Sequence, residues 1–158
     1  MLRGLMTEVR QMLAARVAEA PTDELATLTG MQTGPSTPPA DRVLARLLPD
    51  FTKDDPDFAA GMRALHEPEL IAAKDAAAAL VLDTLPARGG RVELTPEQAD
   101  TWLAALNDVR LALGTALDVT EDMPDEVPPD DPRAPHLGVY HWLTYVQDAL
   151  VQELMHGV

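Results

Sequence analysis

The chain has 158 residues, 46% of them hydrophobic, and a formal charge of −14 from 12 Lys and Arg against 26 Asp and Glu. That apolar content excludes wholesale disorder, and the charge argues against nucleic acid, whose binding needs clustered Lys and Arg. Cysteine is absent, which excludes disulfides, thiolate metal sites and cysteine nucleophiles, and the length suits one domain that needs no staple.

Residues 1–20 are expected to be helical, because Leu2, Leu5, Met6, Val9, Leu13 and Val17 recur at three- and four-residue spacing. The opening Met1-Leu2-Arg3-Gly4-Leu5-Met6 does not read as a signal peptide, since Thr7-Glu8-Val9-Arg10 interrupts the apolar run. Pro21 ends this helix, and Thr22-Asp23-Glu24-Leu25 caps a short one that stops at Gly30. Residues 30–40 carry Gly and Pro without periodicity and are expected to be a mobile loop. Asp41 caps a short helix through Leu48, closed by Pro49. Asp55-Pro56 opens another, with Phe58, Met62 and Leu65 on one side.

Glu67-Pro68 is expected to start the next helix, which runs to about Leu85. Arg91-Val92-Glu93-Leu94 is the only strand candidate, and a lone strand lacks a partner. Thr95-Pro96-Glu97-Gln98 reads as a capping box with proline at the first helical position, opening a helix to about Leu117. Residues 118–133 hold Pro124, Pro128, Pro129 and Pro132 among acidic residues. These prolines forbid a continuous helix, and a second mobile, solvated loop is expected there. The last helix spans 134–156, and no stretch of the chain is apolar and long enough to cross a membrane.

Several segments then form a set: Arg46-Leu47-Leu48-Pro49-Asp50, Gly90-Arg91-Val92-Glu93-Leu94-Thr95 and the run from Trp102 to Gly114. Asp131-Pro132-Arg133-Ala134-Pro135 and Tyr140-His141-Trp142-Leu143-Thr144 complete it. Together they resemble, over most of the chain, an actinobacterial family catalogued as domain of unknown function twenty-seventeen. The resemblance brings no catalytic residues. Family members commonly lie in the genome beside the Clp protease adaptor ClpS and near a sulfur-carrier cysteine-synthesis cluster, which implies a neighbourhood rather than an activity. Members begin with a strand-like segment before the first helix. This chain starts almost directly at the helix, so the strand at 91–94 loses its implied partner.

Helical wheels place one cation on each of two apolar faces. Arg110 falls among Ala99, Trp102, Leu103, Leu106, Leu113 and Leu117, and Lys74 among Leu70, Ile71, Ala77, Ala78, Val81 and Leu85. The plain reading is an internal ion pair, or a stem that carries its charge out to water. The sharper reading is a shared anion pocket lined by Lys74, Asn107 and Arg110. On the last helix, His141, Tyr145, Asp148 and Gln152 share the side opposite Val139, Tyr140, Leu143, Val146, Leu150 and Leu154. That side is either an ordinary wet face or a contact ridge for a partner.

Metal and nucleophile signals are poor. Glu153-Leu154-Met155-His156 is one copy of a spacing that di-iron bundles use twice, and His66, His136 and His141 lack zinc-type spacing. Asp122, Asp125 and Asp130 lack the glycine and alternating ligands of a calcium loop. Ser36 is the only serine, and Gly89-Gly90 is followed by no phosphate-loop Lys-Ser/Thr.

These readings predict an all-α, single-domain helical bundle of five to seven helices over 1–158, with at most one short strand or hairpin near 91–94. Its core should come from 68–85, 95–117 and 134–156. No catalytic residue, metal or cofactor is expected. The expected function is a cytoplasmic, non-enzymatic protein-interaction or regulatory module, linked through its family to regulated proteolysis. It should engage a protein partner, with a homodimer left open, and neither nucleic acid nor membrane. The alternative is a small-anion or ligand-binding protein, or an enzyme, using Arg110 and Lys74.

Overall fold

The computed structural model describes residues 1–21, 24–30, 33–124, 127–128 and 130–156. Six helices are present among them: α1 (Leu2–Ala18), α2 (Glu24–Thr29), α3 (Arg42–Leu47), α4 (Pro56–Thr84), α5 (Pro96–Ala116) and α6 (Ala134–His156). The all-α architecture is as the sequence predicts. Residues 91–94 form no strand; Val92 and Leu94 instead lie against the helical core as loop residues. Thr22 and Asp23, the expected cap of α2, lie outside the described residues.

Local chemistry starts the helices where the sequence says it should. The Thr95 hydroxyl accepts from the Gln98 amide, and the Gln98 side chain takes the Thr95 amide in return. Asp41 accepts from the Leu44 amide at 2.8 Å, and Asp55 accepts from the amides of Asp57 and Phe58. The end of α5 is equally specified. Asp118 adopts a left-handed φ of 55°, and the Val119 amide reaches back to the Gly114 carbonyl at 2.9 Å. Two arginines cover the remaining carbonyls: Arg42 bonds Ala116, and Arg133 bonds Leu117.

α5 is the central element and packs against α1, α3, α4 and α6. Trp102, Ala105, Leu106, Val109 and Ala112 are buried in it, and Trp102 donates its indole N–H to the Thr84 hydroxyl at 2.9 Å. Around it stand Ile71, Ala78 and Val81 of α4 and Leu143 of α6. The core is broader than predicted. It also takes Leu2, Met6, Val9 and Leu13 from α1, and Leu44, Leu47 and Leu48 from α3 and its end. On α1 the inward stripe ends on Arg16 rather than Val17, which is 51% exposed.

The two helices expected at 56–65 and from 67 are one helix. Pro68 lies inside α4, and its ring nitrogen offers no hydrogen to the Ala64 carbonyl one turn back. That carbonyl instead accepts from the Gly34 amide at 2.8 Å, so the missing helical bond is replaced from outside the helix. Gly34 is buried on the proline ring, where a β-carbon would meet the ring carbons at 3.2 Å. Within the loop expected at 30–40, the described residues 33–40 are thus tied down at Gly34. The apolar side expected for 56–65 is also reversed. Phe58 and Leu65 are exposed and Met62 is half-buried, while Arg63 and Glu67 face the interior.

Candidate functional site

Three features stand apart from the hydrophobic core. The first is a buried ion network between α1 and α4. Glu67 is fully buried, with Arg16 and Arg63 almost as deep, and its carboxylate takes Arg16 Nε at 2.6 Å on one oxygen and Arg63 on the other. Arg16 also bonds Glu19 and the Thr37 carbonyl, while Arg63 bonds Asp50 and the Leu48 carbonyl. Burial works against the charge of Arg16, but Glu67 and Glu19 outweigh it and raise its pKa above the ordinary guanidinium value. Among the described residues, no fully buried side-chain nitrogen or oxygen lacks a partner. The network joins α1, the loop at Thr37, the turn at Leu48–Asp50 and α4, and each charge is already spent on structure.

Beside it, a cleft of about 1090 Å³ runs between α1, α4 and residues 33–35, with Leu13, Val17, Pro68 and Ile71 on its walls. Arg10 and Asp75 pair across it at 2.6 Å. That contact, with Arg10 donating, holds the Asp75 carboxyl below its ordinary pKa.

The second feature is built on Arg110. Its Nε donates to the Thr144 hydroxyl at 3.0 Å, and its guanidinium carbon stands 5.2 Å from the centre of the Tyr140 ring. Gly114, one turn along α5, makes this possible: a β-carbon there would meet Tyr140 Cε2 at 3.0 Å. A small pocket of about 290 Å³ opens beside the guanidinium, bounded by Thr120, Glu121, Met123, Pro124 and His141.

The sharper of the two sequence readings groups Lys74, Asn107 and Arg110 around one pocket, and the structure separates them. Lys74 pairs with Asp108 at 2.6 Å in the α4–α5 seam. Asp108 and Arg110 are two residues apart, about 200° around the helix, so they face different neighbours. Lys74 is therefore neutralised internally as expected, whereas Arg110 turns to α6 and has no carboxylate within 4 Å among the described residues. Asn107 is half-buried and lines neither pocket.

The third feature is the outer side of α6. His141, Tyr145, Asp148 and Gln152 are all exposed, with Tyr145 at 71%. Met155 extends the same side at 73% exposure, and Trp142, 38% exposed, lies on its flank. His141 belongs to both the Arg110 pocket and this ridge, so the two are continuous. No three His, Asp or Glu side chains gather as a metal site among the described residues, and none of the described helices is long and apolar enough to cross a membrane.

Residues 1–154 match the family model described as Domain of unknown function (DUF2017). The chain belongs to the DUF2017 family. Two relatives are the proteins named oxidative stress regulator AosR from Mycobacterium tuberculosis and Mycobacterium bovis. Each is 44% identical over 168 residues, covering 98% of this chain and 77% of the relative. No solved structure matches this DUF2017 chain.

The Arg16–Glu67–Arg63 network was missed by sequence reasoning, which read Glu67 as the first turn of a new helix at Pro68. A signal did exist. Arg63 and Glu67 are four apart on one helix, and continuing α4 through Pro68 puts both on the inward side.

Proposed function

We propose that this chain is a non-enzymatic regulatory module that acts through a protein partner docked on the outer side of α6, in a response to oxidative stress. The observation that carries the reading is the ridge from His141 to Met155. Trp142, Tyr145 and Met155 are large exposed side chains on one helix, of the aromatic and methionine kinds enriched at protein interfaces. The names of the mycobacterial relatives support a regulatory role and supply the stress. These 158 residues hold no cysteine, so their contribution is contact rather than thiol redox chemistry. A cytoplasmic setting and a link to regulated proteolysis fit the same reading. The alternative use of Lys74 with Arg110 is disfavoured, because Lys74 is spent on Asp108.

The test is complementation of a strain lacking the gene under hydrogen peroxide. The parent chain should restore growth, and the double variant Tyr145→Ala, Met155→Ala should not, although its thermal unfolding matches the parent. Full complementation by that variant overturns the ridge as the working surface. Affinity capture from native cytosol at low salt, with the acidic loop neutralised as a control, then identifies the partner.

A further inference from the structure

Every other buried or half-buried arginine among the described residues has a carboxylate partner. Arg10 has Asp75, Arg16 and Arg63 share Glu67, and Arg133 has Asp131. Arg110 is half-buried in a chain of net charge −14 and has none among the described residues. Its Nε is fixed by Thr144 and one of its faces lies over Tyr140. Its terminal nitrogens bond no described residue, and they are the pair that grips a carboxylate end-on.

We propose that the Arg110 pocket receives an aspartate or glutamate side chain presented by a partner protein docked along α6. This rests on the reading above of that ridge as a docking surface. The fork is held in advance by Thr144, by Tyr140 and by the absence of a side chain at Gly114, so little freedom is lost when an acid enters. The volume of about 290 Å³ suits one side chain rather than a cofactor. Met123, Pro124 and Leu137 provide an apolar wall for the methylene stem. Glu121 also lines the pocket, and the overall negative field repels free anions. A small acid arriving alone meets that repulsion and binds weakly. A carboxylate delivered by a protein already held on Trp142, Tyr145 and Met155 arrives at high local concentration.

The test follows the Arg110 Nε–H resonance in the full chain. The probes are N-acetyl-glutamate N′-methylamide, its glutamine counterpart, sodium acetate and inorganic phosphate. The glutamate probe should shift the resonance saturably, and the glutamine probe should bind about tenfold more weakly or worse. In Arg110→Gln, other pocket amides should lose their response to the glutamate probe. Equal binding of the glutamine probe overturns the proposal, as does an unchanged response in Arg110→Gln. Acetate or phosphate binding as tightly as the glutamate probe overturns the side-chain assignment. If Arg110→Gln fails to fold, the probe comparison on the parent chain still decides. Should the ridge variant fail to complement while the glutamate probe binds no better than glutamine, this inference falls and the docking reading stands.

Discussion

Removing the charge of Glu67 is the most severe single test of the fold. In Glu67→Gln two guanidinium groups, 1% and 2% exposed, lose their shared carboxylate. Breaking a buried ion pair from one side costs about 3–5 kcal/mol, because the remaining charge is stranded in a poorly polarisable interior. Here each arginine keeps a second acid nearer the surface. Arg16 retains Glu19, whose side chain is 57% exposed, and Arg63 retains Asp50 at 49%. Those partners soften the loss, so the lower part of the range is expected, roughly 3 kcal/mol. For a domain of this size that lowers the melting temperature by roughly 6–12 °C, read by circular dichroism at neutral pH. Replacing the whole network, as Arg16→Met with Glu67→Leu and Arg63→Met, should recover most of the loss, since no buried charge then remains. A Glu67→Gln cost below about 1 kcal/mol, the level of an exposed pair, refutes the claim that the network is dry and interior.

Three other outcomes are expected. Pro68→Ala restores a donor for the Ala64 carbonyl and removes a helix-interior proline worth about 3 kcal/mol against the helix. Unfolding should become harder while hydrogen exchange at the Gly34 amide accelerates; unchanged Gly34 exchange contradicts its dependence on that carbonyl. Gly114→Ala gains about 1 kcal/mol of helix propensity but forces Tyr140 off α5, and overpacking of this kind costs about 1–3 kcal/mol. A net fall in melting temperature and a displaced Arg110 resonance are predicted, and a rise shows that Tyr140 has room to move. Asp75 is held below its ordinary pKa by Arg10, so its contribution is full above the unfolded-state value and is lost as pH falls through the folded-state value. Both partners are well exposed, limiting the effect to at most about 1 kcal/mol. The stability gap between the parent and Asp75→Asn should therefore close as the solution is acidified below the ordinary carboxylate range; a constant gap contradicts the pairing.

Much of the fold was legible from local rules. Thr95 with Gln98, and Asp41 and Asp55 as caps, act within a few residues of themselves, so chain order alone specifies where α3, α4 and α5 begin. Pro68 misled for the same reason. A proline is a strong local stop, and the Gly34 amide that lets α4 run through it comes from 34 residues earlier in the chain. The wheel of α6 was correct on both sides, because that helix has one packed face and one wet one. On α5 the wheel found Arg110 but mistook its company, since a helix surrounded by α1, α3, α4 and α6 has several different interior faces.

The sequence by itself determined the helical class, most helix starts and the outer ridge of α6, because propensity, capping and amphipathic period are short-range forces. Only the tertiary structure decided where charge goes inside. Whether Arg16 of α1 meets water or Glu67 of α4 depends on distances between elements, which no spacing along the chain records. Among the described residues the terminal nitrogens of Arg110 bond nothing for a related reason: its neighbours across the gap are Tyr140 and Thr144 rather than a carboxylate.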